Sequence, residues 1–158
     1  MRESPTELRL RPDETASVEL ACVRTGLNVV GQTPVVSIVD DDASVRIATD
    51  RLVRSLGFTA HTFASADEFL RSPLKDSTSC VIADIQMPGM SGLDLQAVLR
   101  SQGRQLPIIF ITAFPEDEIR ARAMDGGAVC LLAKPFDGTT LIKQLEAALE
   151  THGDETAH

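Results

Sequence analysis

The chain alternates short apolar runs with longer stretches of helical period. Five runs stand out: PVVSIVD (34–40), FTAHTF (58–63), CVIAD (80–84), PIIFIT (107–112) and AVCLLA (128–133). They are rich in β-branched residues and bounded by turn signals, which suits strands buried on both faces. Between them the period lengthens. From Ala43 to Leu56, residues Val45, Ala48, Leu52 and Leu56 share one face, and Gly57 stops the pattern. Ser65 and Glu68 form a capping-box pair that opens a short helix. MPGMSG (87–92) reads as loop, and Leu93–Ser101 reads as a helix ending near Gly103. Pro115 stands where a further helix begins, with Glu116, Asp117 and Glu118 at its positive end and Gly126 and Gly127 at its close. The last helix runs from about Asp137 to Glu150, with Leu141, Ile142, Leu145, Ala148 and Leu149 inward.

Strands alternating with helices imply right-handed βαβ units and a parallel sheet covered on both sides. Five units predict an α/β fold, a doubly wound five-stranded parallel sheet of the flavodoxin-like order. We expect one domain over 34–151, a flexible N-terminal extension over 1–33 and a C-terminal tail over 152–158. Within the extension, Leu20 to Val30 has the content of a short helix.

Composition narrows the classes. The 158 residues carry a net charge of −8 with no basic stripe, which argues against direct nucleic-acid binding. No apolar run nears the ~20 residues of a membrane span, and the N-terminus lacks the apolar core of a secretory signal, so a cytoplasmic protein is expected. Cys22, Cys80 and Cys130 are odd in number and lack metal-ligand spacing, which fits buried thiols in a reducing compartment. His61, His152 and His158 show no metal spacing either.

In such a fold, ligands bind outside the carboxyl ends of the strands. The polar residues fall there. Asp40, Asp41 and Asp42 end the first strand, Asp84 the third and Thr112 the fourth, and Lys134 follows the fifth. Taken singly, each has an ordinary structural role: Asp42 as a helix N-cap, Thr112 as a strand-end hydroxyl, Lys134 as a solvated charge. Together they feed carboxylates, a hydroxyl and an ammonium into one crevice. Crowded carboxylates favour a cation, and all-oxygen ligands select Mg²⁺. A metal opposite a lysine suits a phosphoryl group. One carboxylate would be the nucleophile, and Asp84 is the best candidate because it stands alone on the middle strand.

IVDDDASVR (38–46), ADIQMPGMSG (83–92), FITAF (110–114) and LAKPF (132–136) resemble the receiver domains of two-component response regulators, over about Val35 to Glu150. The likeness is greatest to receivers usually joined to LuxR-type DNA-binding effectors, and a stand-alone receiver without an effector domain is expected here. It implies Asp84 as phosphoacceptor and Mg²⁺ as cofactor. Asp41 would be the direct metal ligand, Asp40 a ligand acting largely through water, and the Gln86 carbonyl a further ligand. Thr112 would move toward the phosphoryl group and Lys134 would pair with one of its oxygens, with the Lys134–Pro135 bond in cis. Gln86 and Phe114 occupy positions that tune hydrolysis; Phe114 either shields the phosphoryl group from water or faces a partner or covers the helix start. Where the family often carries an aromatic switch residue, this chain has Leu131. The donor would be a sensor histidine kinase or a histidine phosphotransfer protein. Output would be contact with a downstream protein, or onward transfer, through the helix from Pro115, the fifth strand and the last helix. The same surface could serve a phosphorylation-dependent homodimer.

Two other functions fit parts of the pattern. Asp40-x-Asp42 after an apolar strand resembles haloacid-dehalogenase-type phosphatases, with Asp40 as nucleophile and Asp42 as general acid. That reading leaves Asp84 and MPGMSG unexplained, and 135–150 lacks the acidic pair that such enzymes use for metal. A degenerate receiver acting only as a binding module is disfavoured by the intact Asp, Thr and Lys set.

Overall fold

The computed structural model describes residues 33–157, with side chains to residue 150. The extension over 1–32, its Leu20–Val30 segment, Cys22 and the histidine side chains at 152 and 158 lie outside the described residues. Pro34–His152 form one compact unit.

Five strands follow the apolar runs closely: β1 (Val35–Val39), β2 (Thr59–Phe63), β3 (Cys80–Asp84), β4 (Ile108–Thr112) and β5 (Cys130–Ala133). They pair in parallel in the order β2-β1-β3-β4-β5, the expected doubly wound arrangement. β3 and β4 are buried at every position, because helices cover both faces of the central strands.

The helices are α1 (Ala43–Ser55), α2 (Ala66–Arg71), α3 (Gly92–Ser101), α4 (Asp117–Asp125) and α5 (Gly138–Ala157), with a 3-10 turn at Pro73–Ser77. Strand alternation splits the core into two layers. Val36, Ile38, Cys80, Ile82, Ile109 and Ile111 face α1 and α5, where Val53, Leu141 and Leu145 pack on them. Val39, Val81, Ala83, Ile108, Phe110 and Leu131 face α2, α3 and α4, where Phe69, Leu95, Leu99 and Ala123 meet them. The Phe63 and Phe69 rings pack edge to face, 5.3 Å apart.

Three helices differ from the expectation. In α1 the buried residues are Thr49 and Val53, whereas Val45, Leu52 and Leu56 are half-buried and Ala48 is exposed. Counting apolar residues alone skipped Thr49 and rotated the stripe. α4 begins two residues after Pro115, because the Glu116 N–H donates to the Phe114 carbonyl (2.8 Å) and a turn takes up the proline. α5 continues past Glu150 to Ala157. No proline or left-handed glycine follows Glu150 to end it, since Gly153 lies within the helix.

Capping sets the helix starts. Ser65 accepts from the Glu68 N–H (3.0 Å), but the Glu68 carboxylate returns to the Ala64 N–H (2.6 Å) rather than to the cap residue. Ser91 and Asp94 close a reciprocal box at α3, which therefore starts at Gly92, one residue earlier than the expected Leu93. Gly57, Gly103 and Gly127 hold positive φ where α1, α3 and α4 end.

Candidate functional site

β1, β3 and β4 end side by side at the carboxyl edge of the sheet, and β5 leads into Lys134 beside them. Asp40 follows β1 directly and is fully buried, and Asp84, the last residue of β3, is 4% exposed. Alternation directs both toward the α1/α5 side. The last turn of this edge is held tightly. Asp40 Oδ1 accepts from the Asp42 N–H at 2.8 Å, and the Arg46 guanidinium donates to the Asp40 carbonyl at 2.6 Å. Asp42 accepts from the Ser44 and Val45 N–H groups, so it caps α1. The helix cap accounts for Asp42 without a catalytic role, in keeping with the ordinary reading of that residue.

Lys134 Nζ donates to Asp84 Oδ2 at 3.1 Å and lies 3.3 Å from Asp40 Oδ2. The second approach is within ion-pair range, and among the described residues Asp40 Oδ2 has no further partner. The cis peptide at Lys134–Pro135, expected from the resemblance, is present. Oxygens of Asp40, Asp41 and Asp84 lie within 4.8 Å of one another, with Asp41 exposed.

Burial pushes the Asp84 carboxyl up to about 6, and the neighbouring Asp40 charge adds to the rise; the Lys134 ammonium and the Gln86 N–H (3.2 Å) pull the other way. Burial disfavours the Lys134 ammonium, but Asp84 and Asp40 more than offset this and hold its pKa above the usual lysine range. The site is therefore a cation-hungry cluster: two buried carboxylates share one ammonium, and one buried carboxylate oxygen lacks a hydrogen bond. Hard oxygen donors in this arrangement suit a divalent ion such as Mg²⁺.

Thr112 is buried at the end of β4 and belongs by alternation to the opposite layer. Its hydroxyl donates to the Gln86 side-chain oxygen and accepts from the Phe114 N–H at 3.0 Å. The hydroxyl makes no hydrogen bond to Asp84 or Lys134, although the Thr112 carbonyl accepts from the Lys134 N–H at 2.8 Å. Phe114 is 60% exposed. Leu131 is buried against the α2/α3/α4 layer, so the position that would carry a mobile aromatic is a fixed core residue here.

Two supporting residues escaped the sequence reading. Gly92 opens α3 directly beneath Asp84, where an added Cβ would lie 2.4 Å from the Asp84 carbonyl oxygen. Arg46 fixes the backbone of Asp40. Glycine at the end of MPGMSG was a usable signal for the first. Nothing in an isolated arginine marks the second. Away from the site, Gln96 ties α3 to the end of α4 by donating to the Ala123 carbonyl (3.1 Å).

Comparison with known proteins places these features. The model of the response regulator receiver domain matches residues 36–146. Nodulation protein W of Bradyrhizobium diazoefficiens is 43% identical over 116 residues, covering 73% of this chain and 51% of that protein. The response regulator protein TodT of Pseudomonas putida is 39% identical over 128 residues, covering 80% of this chain and 56% of that protein. The solved structure of the response regulator StyR superposes with a TM-score of 0.73 at 38% identity, covering 79% of this chain and 63% of that one. The chain thus spans about half the length of the curated relatives it matches. Among the described residues, no helix is long and apolar enough to cross a membrane.

Proposed function

The chain belongs to the response regulator receiver family, and from that premise we propose that Asp84 accepts a phosphoryl group from the phosphohistidine of a sensor kinase or histidine phosphotransfer protein. One observation carries this reading: Lys134 bridges two buried carboxylates at the carboxyl edge of the sheet, and one of them, Asp84, ends the central strand. The P–N bond of the donor breaks as a P–O bond to Asp84 forms, and the departing imidazole takes up a proton. The carboxylate becomes an acyl phosphate. Lys134 then faces a phosphoryl oxygen in place of a carboxylate, and the Thr112 hydroxyl supplies a hydrogen bond to another.

Mg²⁺ would be held by Asp40, Asp41, Asp84 and the Gln86 carbonyl, and would neutralise charge building on the phosphoryl oxygens. The buried Asp40 Oδ2, met only by the Lys134 ammonium among the described residues, and the three clustered carboxylates support that assignment. Water slowly hydrolyses the acyl phosphate to inorganic phosphate and regenerates the Asp84 carboxylate, so the chain acts as a signalling domain and not as an enzyme of turnover. Phe114, beside Thr112, tunes that release by limiting the access of water. We assign the domain to 34–151, its place to the cytoplasm, and its output to protein contact or onward transfer through α4, β5 and α5, with a symmetric homodimer as one form of that contact.

The test is incorporation of label from radiolabelled acetyl phosphate with Mg²⁺. Wild type should take up a hydroxylamine-labile phosphoryl group, and chelation of the metal should abolish uptake. Asp84→Asn should take up none. Equal labelling of the Asn variant would end the assignment.

A further inference from the structure

The Thr112 hydroxyl has one proton, and in this structure that proton is committed. It goes to the Gln86 side-chain oxygen, while the Phe114 N–H occupies the hydroxyl as a donor at 3.0 Å. The hydroxyl is buried, so water does not compete for it. A hydrogen bond to a phosphoryl oxygen on Asp84 therefore requires the bond to Gln86 to break.

We propose that Gln86 is a latch: its side-chain amide holds the Thr112 hydroxyl in the resting position, and phosphorylation at Asp84 must release it. This rests on the reading of Asp84 as acceptor. Gln86 is tied to both ends of the event. Its backbone N–H donates to Asp84 Oδ1 at 3.2 Å, so the residue that restrains Thr112 also touches the carboxylate that is modified. Conversion of that carboxylate to an acyl phosphate removes the anionic acceptor and weakens the backbone anchor at the moment when a better acceptor for Thr112 arrives. The released side chain has somewhere to go. Gln86 lines an open groove of about 550 Å³ whose walls include Met87, Pro88, Ile119 and Arg122, between the β3–α3 loop and α4. There the amide is free to exchange its lost partner for solvent, so the cost of release stays near that of one neutral hydrogen bond, or about a three- to tenfold bias toward the resting arrangement. Gln86 in this role is a positioning residue, acting on the phosphoryl group only through Thr112.

The test reads the Thr112 side chain directly. Three-bond scalar couplings report its χ1 populations in the full unphosphorylated chain. Gln86→Met keeps the bulk of the side chain and the backbone carbonyl but removes the acceptor. The second rotamer of Thr112 should rise about three- to tenfold relative to wild type, and adding acetyl phosphate with Mg²⁺ should then change the couplings less than it does in wild type. Gln86→Asn, whose amide stops one methylene short, should behave the same way and serves if the Met variant folds poorly. Identical Thr112 couplings in wild type and variant, with normal labelling of Asp84, would overturn the latch and leave the acceptor intact. A wild-type protein that takes up no label would overturn the acceptor reading and the latch that rests on it.

Discussion

Replacing Asp84 with Asn should stabilise the metal-free protein at neutral pH, although it removes a residue from the functional centre. The folded chain raises the Asp84 carboxyl from 3.8 to about 6, through burial first and Asp40 second. The folded state therefore binds this proton more tightly than the unfolded chain, whose carboxyl titrates near about 3.9. Stability is greatest below that value, falls as pH rises through about 6, and is level above it. At about 1.4 kcal/mol per pH unit, the charged Asp84 costs up to ~3 kcal/mol at pH 8. Asn mimics the neutral carboxyl and cannot ionise, so Asp84→Asn should be more stable by about 2–3 kcal/mol at pH 8, with the gap closing below about pH 4. Urea unfolding in a chelating buffer, followed by circular dichroism because the chain has no Trp or Tyr, measures this directly. Adding Mg²⁺ should narrow the gap without closing it. Wild type gains about 1.4 kcal/mol at a tenfold excess over the dissociation constant, and the variant, lacking one ligand, gains less. Parallel pH curves for the two proteins, or a less stable Asn variant at pH 8, would refute the reasoning.

Gly92→Ala should cost about 1–3 kcal/mol in urea midpoint at constant slope, since the new methyl meets the Asp84 carbonyl oxygen and the start of α3 must shift. Lys134→Met leaves Asp40 and Asp84 facing each other without an ammonium. The variant should be destabilised by about 1–3 kcal/mol at pH 8 and much less near pH 4, where the Asp84 carboxyl is protonated, as a pH series of unfolding curves would read. Phe114→Ala, at an exposed position, should change stability by less than about 0.5 kcal/mol yet shorten the phosphorylated lifetime in a dephosphorylation time course. An unchanged lifetime would end the shielding role.

The strands were legible because each is a compact apolar run with no competing period, and β3 spans the same residues, Cys80–Asp84, as its run. α1 was legible in extent but not in facing. Thr49 is polar by composition yet buried by geometry, and among the described residues its hydroxyl has no hydrogen-bond partner. The starts of α3 and α4 depended on which N–H groups found which acceptors, and such choices follow from the fold rather than from propensity.

The chain's own pattern determined the number and type of elements, the parallel sheet and the set of residues at its carboxyl edge, because period and strand-end position are local properties. Only the tertiary structure decided how those residues divide. Lys134 reaches both Asp84 and Asp40, whereas Thr112 turns instead to Gln86. The physical reason is that distance and burial between side chains far apart in sequence set both the charge state of Asp84 and the partner of a single hydroxyl proton. Neither is encoded in the spacing of the residues along the chain.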